Sequence, residues 1–283
     1  MFSEAALRSA AGRFTRSPLA GDAPLAEVAR QFVAGWERRS APVVRLPPAS
    51  GCHRATVVVC HGLGDCGQSW AAAFDAGMRR QLPDCQFVFP TAQMMPVTIN
   101  GGMPCPAWYD IVSLGTSRLK QDAPGIVDSS LFLHALALAE LSAIDATPPS
   151  PPPQQHSASA KMKKLVLGGF SQGGALSLTA GHTFSHAPGA LGGIMCLSGY
   201  LTAADDTRKH LVRETATLPL LMCHGTYDDV VPYALAEESV GAVGQLRAAV
   251  CGTQADFASF PMGHEACREE LDQVMGFLRR CLA

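Results

Sequence analysis

The chain has 283 residues, enough for one large domain, and its 47% hydrophobic against 16% charged residues point to a large core with strands buried on both faces. A net charge of −2 gives no electrostatic case for nucleic acid or anionic lipid. No apolar run reaches the roughly 18 residues that a membrane-crossing helix needs.

In chain order, the first twenty residues carry Arg8, Arg13 and Arg16 against one acid, Glu4, and several serines, a faint likeness to a transit peptide. Asp22 and Pro24 then mark a helix start, and Leu25, Val28, Phe32 and Trp36 recur at helical spacing. Residues 1–40 are therefore read as an N-terminal extension. It is either an accessory helix packed on the main domain or a membrane-touching or targeting arm, with the arginines, Phe2 and Phe14 as its membrane-directed features.

From residue 41 to 283 a single main domain is expected. Short apolar runs at 55–61, 86–89, 165–168, 191–197, 218–224 and 255–260 alternate with helical stretches near 70–82, 127–145, 171–182, 233–250 and 267–282. That alternation predicts a mostly parallel central sheet with helices on both faces. The apolar run 131–144 is interrupted by His134 and Glu140 and reads as a buried helix. Residues 147–160, TPPSPPPQQHSASA, hold five prolines and no aliphatic side chain larger than alanine, so they are read as an exposed loop insert. The ten cysteines form no C-x-x-C pair and no zinc spacing, and no secretory signal is recognisable. They read as reduced core thiols of a cytoplasmic protein, with a disulfide framework as the alternative. Residues 264–268, HEACR, begin like a zinc-protease helix but end in arginine, so no metal site is expected.

The chemistry centres on residues 168–174, GGFSQGG, where G-x-S-x-G joins an apolar strand to a helix. This is the nucleophile elbow of the α/β-hydrolase fold: a turn so tight that its flanks must be glycine, with the serine pushed above the sheet edge. Ser171 is thus the expected nucleophile. A serine hydroxyl needs a base, and the base needs a third group to hold its tautomer. In this fold they follow in the order serine, acid, histidine. Asp228 follows one later strand and His264 the next, each at a carboxyl end where such sheets build their sites. His182 and His186 lie at the far end of the elbow helix, His210 in a polar helix and His224 still within a strand, so none of them fits the base as well. The oxyanion hole is expected from the backbone N–H of Gln172 and that of Leu63, in the glycine-rich loop after the first long strand; His61 is expected to shape that loop.

Together these blocks resemble the acyl-protein thioesterase and lysophospholipase-like carboxylesterases. The resemblance rests on HGLGD at 61–65, PVTINGGMPCPAWYD at 96–110, GGFSQGGALSL at 168–178, LSGYL at 197–201 and MGHEAC at 262–267. It implies cofactor-free hydrolysis of long-chain thioesters on S-acylated proteins, with small esters or lysophospholipids as the alternative substrates and a catalytically inactive acyl-binding relative as a third reading. It also implies that 91–108 lines an acyl channel, with Met103 and Trp108 as substrate-binding residues and Trp108 near the mouth. Partners would be acylated proteins or acyl esters, and location cytoplasmic with transient membrane-surface contact; oligomeric state is not legible. Where the family usually reads H-G-D-x-D-P, this chain has Thr226 for the first aspartate and Asp229 for the proline, which leaves two adjacent carboxylates at the acid position.

Overall fold

The central strands are continuous runs of aliphatic residues, which suits strands covered on both faces. The computed structural model describes residues 1–14, 22–74, 76–114, 121–146, 164–250 and 253–282. The expected insert at 147–160 lies outside them. The strands are β1 (Val44–Leu46), β2 (Ala55–Cys60), β3 (Cys85–Phe89), β4 (Gln93–Val97), β5 (Met103–Ala107), β6 (Leu165–Phe170), β7 (Leu191–Leu197), β8 (Leu220–Gly225) and β9 (Asp256–Phe260). Among the described residues a seven-stranded sheet runs in the order β1-β3-β2-β6-β7-β8-β9. Every neighbouring pair in it is parallel except β1 with β3. This is the α/β-hydrolase fold with the expected mostly parallel sheet. Two features were not anticipated: the three-residue edge strand β1, and the hairpin β4–β5, which pairs only with itself.

The helices are α1 (Glu4–Phe14), α2 (Leu25–Glu37), α3 (Gly67–Ala73), α4 (Ala76–Arg80), α5 (Ala123–Asp145), α6 (Gln172–His182), α7 (Ala204–His210), α8 (Arg213–Ala216), α9 (Tyr233–Ala248) and α10 (Arg268–Leu282). Alternation along the strands sorts their side chains onto two faces. Val58, Cys60, Val88, Leu167, Ile194 and Met222 pack with α1, α2, α5, α6 and α9; Val57, Val59, Phe87, Val166, Met195 and Leu221 pack with α3, α4 and α10. The single helix expected near 70–82 is split, because Phe74 leaves helical geometry at ψ 77°. Helix α5 starts earlier than expected: the Asp122 carboxylate accepts from the Gly125 N–H at 3.0 Å, and Pro124 sits in the first turn, where it loses no bond. Among the described residues α5 is the one helix long and apolar enough to cross a membrane, and it is mostly buried beneath α1, α2 and α6. Cys60, Cys85, Cys196 and Cys223 are buried free thiols, and Cys281 is buried as well.

The N-terminal extension is two helices, not one, and both pack on α5. Leu7, Ala10 and Ala11 form the buried face of α1, and Arg13 pairs with Asp128 of α5 at 2.5 Å. Phe2 and Phe14 pack against other rings of this chain. Phe2 is 4% exposed, between the rings of His134 and His210, and Phe14 stacks on Trp36 at 5.6 Å. Their aromatic surface is better satisfied against the α5 side of the core than in water.

Candidate active site

Strand β6 ends at Phe170 and α6 begins at Gln172, so one residue makes the whole turn. Ser171 takes φ 52° and ψ −120°, a conformation that costs a non-glycine residue about 1–3 kcal/mol. Glycine at 173 clears the space: a Cβ there would lie 2.4 Å from the Cys60 carbonyl oxygen and 2.5 Å from that of His61. The first turn of α6 therefore seats directly on the end of β2. The loop after β2 reaches the serine as well, since a Cβ on Gly62 would meet the Ser171 Cβ at 3.3 Å.

The structure brings the three expected side chains together. His264 Nε2 lies 2.9 Å from Ser171 Oγ, and His264 Nδ1 lies 2.7 Å from Asp228 Oδ2. An ionised carboxylate only accepts, so Nδ1 carries the proton and Nε2 is left to accept from the serine hydroxyl. The Phe170 ring, 4.8 Å from the imidazole, packs beside it. Asp228 is buried in the turn after β8: its Oδ1 accepts from the Val230 N–H at 3.0 Å and the Val231 N–H at 2.8 Å. Asp229, the neighbouring carboxylate, is exposed. Such a row can move a proton from a hydroxyl onto an imidazole and hold the resulting cation against a buried carboxylate.

The other histidines fall elsewhere. His182 is buried at the far end of α6, its Nδ1–H donates to the Leu178 carbonyl at 2.7 Å, and burial lowers its pKa to about 4. His224 is the exception. Its Nε2–H donates to the Val231 carbonyl at 2.8 Å and sits 3.3 Å from Asp228 Oδ2, and burial holds its pKa below the ordinary value. It braces the acid as a neutral group, a role that a strand position gave no reason to expect.

Two expected substrate-binding residues part ways. Met103 is 68% exposed on the outer end of the β4–β5 hairpin. Trp108 is at no mouth: it is 2% exposed, and its indole N–H donates to the His61 carbonyl at 2.9 Å. An indole of that size with a donor to satisfy is stable inside only when the donor finds an acceptor. The Gln172 side chain, also unanticipated, clamps the same segment. Its Oε1 accepts from the Trp108 N–H at 3.0 Å and its Nε2 donates to the Tyr109 carbonyl at 2.7 Å. Leu63 is partly buried in the loop beside Ser171, and Gly64 in that loop donates to the Pro106 carbonyl at 2.8 Å, which joins it to β5. Residues 264–267 form a loop ahead of α10, not a helix, and among the described residues no cluster could hold a metal ion.

Comparison with known proteins gives this geometry a context. The phospholipase/carboxylesterase family pattern matches residues 44–282. Acyl-protein thioesterase 1 of Neurospora crassa is 37% identical over 244 residues, which cover 82% of this chain and 89% of that protein. The protein of the same name from Gibberella zeae is 36% identical over 253 residues, covering 86% of this chain and 97% of that one. Among solved structures, Zea mays acyl-protein thioesterase 2 superposes with a TM-score of 0.67 at 31% identity, covering 86% of this chain and 99% of that chain.

Proposed function

The chain belongs to the phospholipase/carboxylesterase family, and we propose that it is a serine hydrolase that cleaves thioester bonds on acylated proteins through an acyl-enzyme intermediate. The acyl-enzyme chemistry is carried by the unbroken row from Ser171 Oγ through His264 to Asp228, at 2.9 and 2.7 Å, and the choice of thioester is supported by the likeness to acyl-protein thioesterases.

The proposed steps follow from that row. Ser171 Oγ attacks the acyl carbonyl carbon while His264 Nε2 takes its proton, and Asp228 stabilises the imidazolium. The oxyanion is met by the N–H groups of Gln172 and Leu63. Collapse of the tetrahedral intermediate breaks the carbon–sulfur bond, and the departing thiolate takes the proton from His264. Water, deprotonated by His264, then attacks the acyl-serine; collapse breaks the bond to Ser171 Oγ, which takes the proton back from His264, and the fatty acid is released. The residues supply all the acid and base this sequence needs. We assign the body, residues 41–283, to catalysis and residues 1–40 to an accessory helical layer, and we place Met103 on the rim that the acyl chain crosses. A substrate whose acyl group is anchored in lipid calls for contact with a membrane surface.

The test is parallel kinetics, with one enzyme preparation, on an S-palmitoylated peptide and a lysophospholipid, with Ser171→Ala as the control. A higher kcat/KM on the peptide, abolished in the variant, is the expected result. A preference for the lysophospholipid makes the protein a lipid or small-ester hydrolase instead. Retained fluorophosphonate labelling in Ser171→Ala would place the nucleophile elsewhere.

A further inference from the structure

We infer that the N-terminal helices, which precede the family-matched segment, act as a positioning element for the oxyanion hole, with Trp36 as the contact residue. The inference rests on the reading above, in which the Leu63 N–H is one of the two oxyanion donors.

The connection runs through two peptide groups and one imidazole. Trp36, near the end of α2, donates its indole N–H to the Thr91 carbonyl at 3.0 Å in a buried contact. The other end of that same peptide group is the Ala92 N–H, which donates to His61 Nε2 at 2.9 Å. An Nε2 that accepts must be unprotonated, so the His61 proton sits on Nδ1. Nδ1 lies 2.6 Å from the Gly62 carbonyl oxygen and donates to it. The far end of the Gly62–Leu63 peptide group is the Leu63 N–H. Every link thus has one donor and one acceptor in the same sense, from the indole of α2 to the amide proposed to meet the oxyanion. Burial also holds His61 below its ordinary pKa, which keeps it in the neutral form that the relay needs.

Chains of this kind polarise successive groups and fix the planes of the peptides they join. The polarisation here is directed toward a more positive Leu63 N–H. Trp36 is packed among rings: it stacks on Phe132 at 4.1 Å, on Phe14 of α1 at 5.6 Å and on Trp108 at 6.3 Å. Trp108 in turn donates to the His61 carbonyl, the peptide group just before the one that matters. The extension therefore reaches the site by a hydrogen-bonded route and by a packed one.

The critical variant is Trp36→Phe, which keeps a ring in the stack and deletes the indole N–H. His61→Leu breaks the relay at its centre and leaves α2 in place. Both are assayed on p-nitrophenyl acetate and with a boronic acid inhibitor whose boronate oxygen occupies the oxyanion position. Complete loss of an oxyanion donor costs on the order of 10²–10³-fold in kcat, so weakening one through its support should cost roughly 3–10-fold in Trp36→Phe and more in His61→Leu. KM should stay within about twofold, and boronate affinity should fall in parallel with kcat. A lower melting temperature with kcat and boronate affinity unchanged in both variants overturns the inference, because a merely structural residue behaves that way. Leu63→Pro, which removes the donor itself, separates the two levels. If it lowers kcat by the full factor while Trp36→Phe and His61→Leu leave kcat unchanged, the oxyanion reading stands and the relay falls. If folded Leu63→Pro keeps wild-type kcat, the oxyanion reading falls, and the relay with it.

Discussion

Replacing Asp228 by asparagine should lower kcat by about 10⁴-fold, and the hydrogen bonds around it explain why the amide cannot adapt. Oδ1 receives two backbone N–H groups, from Val230 and Val231, so the asparagine oxygen must occupy that position. Its NH₂ then faces His264 Nδ1 at the site where Oδ2 now accepts at 2.7 Å. Donor would face donor unless His264 shifted its proton to Nε2, and that tautomer cannot accept from Ser171. Flipping the amide offers no escape, because it turns the NH₂ toward two buried N–H groups and leaves both unsatisfied, at about 1–3 kcal/mol each. A 10⁴-fold loss corresponds to roughly 5 kcal/mol of barrier. Asp229, one residue on and exposed, should cost at most a few-fold when replaced by asparagine, as expected of a solvated charge. Turnover of p-nitrophenyl acetate, with folded enzyme quantified by circular dichroism, measures both. The reasoning is refuted if Asp229→Asn is the more damaging change, or if Asp228→Asn keeps more than about a tenth of the wild-type rate.

Two further expectations concern stability. Glu270, in the first turn of α10, is fully buried, its carboxylate oxygens have no hydrogen-bond partner among the described residues, and burial raises its pKa to about 8. With its folded pKa above its unfolded one, the native state binds the extra proton, so stability falls as pH rises from about 4.5 to about 8 and then levels. Glu270→Gln should remove that slope and gain on the wild type by a few kcal/mol, in order of magnitude, across the window; denaturant titrations of both proteins at pH 5 and pH 8.5 that move in parallel would show that the carboxyl is hydrated. Phe2→Ala should cost about 2–4 kcal/mol and roughly 5–15 °C of melting temperature, with turnover of soluble esters unchanged. An unaltered melting temperature together with lost liposome binding would mean that the first helix swings out to a membrane.

Much of this protein is legible in local sequence because local physics decides it. The run of apolar residues at 55–60 and the helical spacing after residue 172 set dihedral preference and burial without help from afar, and the predicted strand order along the chain follows. The elbow is legible for the same reason: glycines at 169 and 173 flank a serine at φ 52°, and a Cβ on either would run into the Cys60 carbonyl oxygen, at 2.6 and 2.4 Å. The acid and the base each follow a strand within a few residues, so chain order nominated His264 and the carboxylate pair at 228–229, and the spacing from His224 and Gly225 in the family pattern chose Asp228.

What the sequence could not decide depends on groups far apart in the chain. The hairpin 93–107 carries Pro96, Pro104 and Pro106, a composition that argues against strand pairing until its two arms are seen to bond each other. The first helix reads as a polar, arginine-bearing leader, and only the face offered by α5 makes Phe2 and Leu7 core residues. Trp108 carries an aromatic ring in a stretch expected to line a channel; what places it inside is an acceptor on His61, 47 positions earlier. Trp36 meets Thr91 across 55 positions. Periodicity predicts which side of an element is buried, but not what it is buried against, because a buried donor's choice of acceptor is settled only when the layers close and water is excluded.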